Sequence, residues 1–457
     1  MPWSVREDFR LKSDSSWSIT TNESLFFHLQ VYLFFKTVRM KKLMLIVGLF
    51  LSSGLNAQDY VNQVLILNEG YFDYVTGTIV EPVKIGTYDP INATYEEVAI
   101  LEDMRFASDL IINGEFYYVA ADTKIFKLNL NTHEIVASST CEGVRNLAVY
   151  NDKLFATRGE YLATFDSYVH VFNKNDLSLE VAIDTVAGPK WATQNLIVEG
   201  NKVYVAVNNA FEYQNEKGLV GVIDGETLIY EDEIDLGPNG KNPDNLLMNN
   251  GEIYTVNNKD WSGTSVSKVS LDFTSIETVN IESVSTGCGT SSMRGDKIVY
   301  QISMESDLNE FDCALMNTTG PVNGNFVNFH ALNENPLNDD LYASETDFFS
   351  YGKIHVYNTA NEEIGFFNAG ITPGKIVFDV RSTIGLSELT STEARAIPNP
   401  SKDFIQFVGF SDREITITNT LGKEVEKINS SSASFKHLPS GIYYASQESK
   451  IIKFIIE

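Results

Sequence analysis

Leu196-Ile197-Val198-Glu199-Gly200-Asn201-Lys202-Val203-Tyr204-Val205-Ala206-Val207-Asn208 reads as an apolar strand, a tight polar turn and a second apolar strand. Asn and Gly tolerate positive φ, so such residues between apolar runs are a hairpin signal with a mechanism. The same phrase recurs along the chain. Its other turns are Asn113-Gly114, Asn151-Asp152, Asn250-Gly251, Arg294-Gly295-Asp296 and Asn338-Asp339-Asp340. Each turn precedes a strand with a large apolar anchor: Tyr117, Phe155, Tyr204, Tyr254, Val299 or Tyr342. Val64-Leu65-Ile66-Leu67 opens the series with no partner strand before it. From Leu65 onward, successive anchors lie 38 to 52 residues apart. An all-strand period of that size predicts a β-propeller with about four strands per blade. The fold class expected is therefore all-β: a seven-bladed β-propeller followed by a small antiparallel β-sandwich.

A third strand lines up in every unit, ending on Asp89, Asn129, Asn173, Asp224, Ser270, Asn317 and Asn358 as a turn requires. This register places Cys313 beside Ile85 and Ile125 as a small buried hydrophobe, and gives His170 and His355 equivalent positions. An innermost strand aligns at Leu110-Ile111-Ile112, Leu147-Ala148-Val149, Leu196-Ile197-Val198 and Leu246-Leu247-Met248. The first unit lacks one, and Ile376-Val377-Phe378 is spare. Ring closure by that late segment removes the exposed edges.

The ends carry different signals. Lys41-Lys42, the apolar run Leu43–Leu51 and Leu55-Asn56-Ala57 read as a secretory signal peptide over 40–57. On this reading, residues 1–39 are an upstream extension from a mis-called start. The propeller is expected over 58–381 and a Ser/Thr/Glu-rich linker over 382–396. Residues 397–457 alternate short strands with Gly and Asn turns, as a small sandwich does.

That last segment resembles the C-terminal sorting domain of the type IX secretion system of Bacteroidetes. Pro398-Asn399-Pro400, the Gly422-Lys423 turn, Gly441-Ile442-Tyr443 and the strand from Lys450 match the family pattern in order. The resemblance implies handling by the type IX secretion machinery. It also implies release or tethering outside the cell, with the signal peptide and sorting domain removed. The repeat itself resembles YVTN-type propellers of surface proteins. Some exported members of those families hold cobalamin-type or glycan ligands, so a ligand-binding function is what the likeness implies.

Composition narrows the partners. The net charge is −27 at pH 7, which disfavours nucleic acid and anionic lipid. Such a surface suits bound calcium or a neutral or cationic ligand; no other cofactor is evident, and the mature chain has no transmembrane segment. The three cysteines, Cys141, Cys288 and Cys313, make no disulfide framework. The six histidines show no metal-ligand spacing, and there is no nucleophile elbow or phosphate loop. Catalysis is not expected, and the catalytic set is empty. Arg294-Gly295-Asp296 falls where each unit has its hairpin turn, which takes precedence over an adhesion motif.

In a propeller, the loop leading into each innermost strand and the loop leaving the second strand share one face, where a funnel collects a ligand. The first set carries Asp109, Arg145, Asn146, Gln194, Asn195, Asp244 and Asn245, and the second carries Asn68, Glu69, Arg158, Asn208, Asn257 and Glu345. Phe211 and Trp261 add aromatic platforms. These residues are the candidate ligand-binding set for a small molecule, glycan or peptide. Two other readings stand beside it. One is a metal-dependent hydrolase or lactonase-like propeller using Glu69, Asp109, Asp244 and Glu345; the other is an adhesion or structural surface protein.

Overall fold

The computed structural model describes residues 59–382 and 395–457, apart from 260, 283, 287–289, 409, 412, 448 and 449. The signal peptide, the upstream extension and nearly all of the linker lie outside the described residues. Among those described, every regular element is a β-strand. Contacts gather Asp59–Arg381 into one compact unit and assign Ser382–Glu457 to another.

The first unit is a β-propeller. Among the described residues it contains seven four-stranded antiparallel sheets. The turn chemistry read from the sequence is realised at the backbone. Gly114, Asn151, Gly200, Asn250, Gly295 and Asp339 all have positive φ in their hairpins. The anchors that follow are buried: Leu65, Tyr117, Phe155 and Val299 are fully inaccessible. Strand alternation explains this, since each anchor faces a neighbouring sheet while its flanking residues face the other side.

Ring closure is as expected. The first sheet runs Pro373–Ser382, Asp59–Asn68, Val83–Asp89, Thr94–Leu101, so a late strand completes the earliest sheet. Ile376 sits 1% exposed in a cluster with Val64, Ile66, Tyr342 and Ile354, which joins the last sheet to the first. Asn333 Nδ2 donates to the Ile376 carbonyl at 2.8 Å across the same seam.

Three boundaries differ from expectation. In the sixth sheet the third strand is Leu308–Asp312, and Cys313 to Met316 form the turn after it. Asp312 Oδ1 accepts from the amides of Ala314 and Leu315, as Asp89 does from Ile91 and Asn92. The sequence offered two turn-initiating residues, Asp312 and Asn317, and the hydrogen-bonded ladder uses the first. Cys313 is nonetheless a buried free thiol, as is Cys141. The linker also shortens at both ends. Ser382 extends the closing strand, and Arg395–Ile397 is a strand pairing with Gln406–Val408.

The second unit pairs a three-stranded sheet with a four-stranded one around a single core that includes Ile405, Phe407, Phe435 and Phe454. Asn399 clamps the last strand, accepting from the Ile455 amide at 2.9 Å and donating to the Lys453 carbonyl at 3.2 Å. Gly422 turns at φ 73° with Asn419 accepting from the Lys423 amide, and the Tyr443 hydroxyl donates to the Pro439 carbonyl at 2.8 Å. Gly441 pairs with Ile456 and Lys450 with Gln447 in the hairpin formed by Gly441–Gln447 and Lys450–Ile456.

Candidate functional site

One feature recurs at the start of the innermost strands. The ladder slips between Ala107 and Asp109, between Val144 and Leu147, between Thr193 and Leu196, and between Pro243 and Asn245. Each slip is a β-bulge, which leaves residues unpaired and re-aims their side chains. The bulged residues are Ser108, Arg145-Asn146, Gln194-Asn195 and Asp244. They converge on a cavity of about 1020 Å³ that all seven innermost strands line.

A polar pair stands at each bulge: Ser108-Asp109, Arg145-Asn146, Gln194-Asn195 and Asp244-Asn245. The second residue binds the ring together. Asp109 accepts from the Leu147 amide at 2.9 Å, Asn195 from the Leu246 amide at 3.2 Å, and Asn245 donates to the Ser291 carbonyl at 3.0 Å. Asn146 is buried, and its Oδ1 has no hydrogen-bond partner among the described residues. Ser108, Arg145, Gln194 and Asp244 line the cavity, and so do Asn146, Asn195 and Asn245.

The candidate residues therefore separate. Glu69, Arg145, Asn146, Gln194, Asn195, Phe211, Asp244 and Asn245 come together around the cavity. The others lie elsewhere. Asn68 is 1% exposed and donates to the Tyr95 hydroxyl at 2.9 Å. Asp109 is buried against Lys375 Nζ at 2.9 Å. Asn208 and Asn257 are buried, the latter donating to Ser265 and Ser267. Both cap strand ends, because a buried amide must satisfy nearby backbone and hydroxyl groups. Glu345 faces His355 Nε2 at 3.1 Å, while His355 Nδ1 meets Glu363 at 2.9 Å. Trp261 is 39% exposed on its loop and does not line the cavity.

Arg158 is also buried. It donates to the Glu142 and Ser167 carbonyls and lies 3.9 Å above the Phe165 ring. His170 Nε2 stands 3.0 Å from its Nη1. A guanidinium can only donate, so His170 accepts there as the neutral imidazole. Burial, then the adjacent Arg158 charge, lowers the His170 pKa to about 4. Burial pushes the neighbouring Cys141 thiol up to about 12, leaving it unreactive. Arg294 of the Arg-Gly-Asp triplet is half-buried, with its guanidinium tied to Asn358 and Asn361.

Sequence reading missed several cavity residues: Tyr74, Arg105, Phe106, Glu160, Tyr161, Ser291, Ser292, His330 and Asn333. Arg105-Phe106 and His330 each directly precede an innermost strand, and that position was the available signal. Ser291–Arg294 and Ala331–Glu334 are too short and too polar to stand out as strands. The cavity's charges are largely paired. Arg105 meets Asp122 and lies 3.2 Å from Glu160, while His330 Nε2 is 3.1 Å from Glu69. Three of the four acids considered for a metal, Glu69, Asp109 and Glu345, thus enter separate interactions. Among the described residues no three His, Cys, Asp or Glu side chains gather to hold an ion.

The rim is apolar. Loops between second and third strands expose Tyr74 (73%), Leu162 (88%) and Met304 (91%), with Tyr161, Tyr213, Trp261 and Phe348 in equivalent places. Leu162, Trp261, Met304 and Phe348 also have φ between 58° and 69°. Bulky side chains rarely adopt that region.

Residues 395–457 match the family model of the secretion system C-terminal sorting domain. The protein is accordingly exported through the type IX route to the cell surface or beyond it. Among the described residues no helix is long and apolar enough to cross a membrane. None of the curated proteins matches the chain in sequence. Among solved structures, the chain is similar to a hypothetical selenium-binding protein from Sulfolobus tokodaii. That likeness has a TM-score of 0.51 and 8% identity, covering 72% of this chain and 94% of the other. It is also similar to an extracellular domain assigned to a hybrid two-component system of B. thetaiotaomicron. Here the TM-score is 0.46 and the identity 12%, covering 88% of this chain and 59% of the other. At 8% identity, the likeness to the Sulfolobus protein is one of fold.

Proposed function

We propose that this exported chain is a binding protein, a seven-bladed propeller of the YVTN type that holds a small molecule, glycan or peptide in its funnel. On this reading residues 40–57 are the signal peptide that starts its export. The observation that carries the proposal is the repeated bulge. Four sheets interrupt their ladders where polar side chains turn toward the same cavity. The apolar rim supports it as well, because strained backbone and solvated apolar side chains are costly unless something covers them. A cavity of about 1020 Å³ is at the upper end of ligand pockets, which run to roughly 1,000 Å³.

The test is a thermal-unfolding screen of the protein against glycans, corrinoids, peptides and divalent ions. A ligand at 100 times its Kd stabilises by about 2.7 kcal/mol. Tyr74 and Tyr161 line the cavity yet are 73% and 66% exposed. Tyr74→Ala and Tyr161→Ala should therefore weaken binding about tenfold while leaving the unliganded midpoint within about 1 °C. A screen without hits, or hits indifferent to both substitutions, would remove the proposal.

A further inference from the structure

Arg145 differs from every other cation around the cavity. Arg105 is neutralised by Asp122 and Glu160, Lys375 by Asp109, and His330 stands against Glu69. Arg145 meets no carboxylate among the described residues. Its Nε donates to Gln194 Oε1 at 3.3 Å, and its Cζ lies 5.2 Å from the centroid of the Phe211 ring. Its two terminal nitrogens donate to no protein group among the described residues. In a chain of net charge −27, a guanidinium kept clear of acids in a lined cavity is a selected arrangement.

The seat beneath it is also prepared. Phe211 reaches under Arg145 from a neighbouring loop and packs directly on Gly159. A Cβ at Gly159 would stand 2.7 Å from the Phe211 ring and 3.1 Å from Ala192, so a larger residue there would displace the ring. The bulge between Val144 and Leu147 aims the side chain, the ring supports its face, and Gln194 fixes one edge. What remains open is the two-nitrogen fork, whose geometry matches a carboxylate or phosphate.

We propose that Arg145 is the anion-recognition point of the funnel and that the ligand presents a carboxylate or phosphate oxyanion to it. This rests on the binding reading above and adds the ligand's charge to it.

The test uses three probes on one skeleton: glucose, glucuronate and glucose 6-phosphate, titrated calorimetrically into the full chain at low ionic strength. The wild-type protein should bind at least one charged sugar tenfold or more tightly than glucose. Which of the two it favours identifies the oxyanion as carboxylate or phosphate. Arg145→Gln should abolish the preference, Arg145→Lys should retain part of it, and Phe211→Leu should reduce it. Equal binding of all three sugars, no binding of either charged sugar, or a preference surviving in Arg145→Gln would each overturn the proposal. If neutral ligands from the screen still bind through Tyr74 and Tyr161 while the charge preference is absent, this inference falls and the funnel reading stands. If nothing of any charge binds, both fall.

Discussion

The rim residues make the sharpest claim at the scale of single side chains. Leu162 and Met304 are 88% and 91% exposed, so their side chains gain almost nothing from burial. Their φ values of 58° and 66° place Cβ against the following carbonyl, a cost of roughly 1–2 kcal/mol each for an L-residue. Glycine removes that cost, although its freer unfolded chain returns part of the gain. Leu162→Gly and Met304→Gly should thus stabilise the propeller by about 0.5–1 kcal/mol, read from denaturant midpoints. The same changes should weaken binding of any funnel ligand. Destabilisation by either change would mean that the strained loops serve packing instead. The Asn and Gly turns were legible because their conformational demand is local and carried by residue type. Leu162, Trp261, Met304 and Phe348 carry no such mark: nothing in a leucine announces a left-handed backbone.

At the scale of strands, the closing segment Pro373–Ser382 has the largest consequence. Its pairing with Asp59–Asn68 joins residues three hundred positions apart in the chain. Ile376 is 1% exposed in the cluster that bridges the last and first sheets. Ile376→Ala should cost about 2–4 kcal/mol, measured by equilibrium unfolding. Val377 lies only partly buried on the other face, and Val377→Ala should cost distinctly less. Equal costs would show that the closing strand is not registered as described. The strand was legible because one innermost strand was missing and one was spare. The bulges were not, since a slip in register leaves no trace in hydrophobic spacing. What the sequence carried was their result, a polar pair ahead of each Leu-anchored innermost strand. In three sheets both members of that pair line the cavity, whereas Ser108 lines it and Asp109 does not. Asn68, Arg158, Asn208 and Asn257 are buried outside the cavity lining, for a related reason. The residues that end a second strand are polar whether they face a funnel or cap a buried ladder.

At the scale of the whole molecule, the chain carries two separate cores. The propeller clusters draw on residues between 61 and 378, and the sorting-domain cluster on residues between 396 and 456. Each core closes on its own sheets, so each unit's fold is written in its own segment. The functions divide in the same way. The cavity and its rim belong to Asp59–Arg381, and the match that directs export covers 395–457. Removing 395–457 should therefore leave the exported fraction near zero while the protein left inside the cell retains its β-sheet circular dichroism. A gentler lesion makes the same point within the sorting domain. Asn399 holds the final strand through two backbone hydrogen bonds, together worth about 1–3 kcal/mol net. Asn399→Ala should lower export in proportion to the unfolded fraction of a 63-residue domain, because a domain that small has little stability in reserve. Cell fractionation with an antibody to the propeller measures both. Undiminished export after the deletion would show that the route out of the cell is written in Asp59–Arg381 or upstream of it.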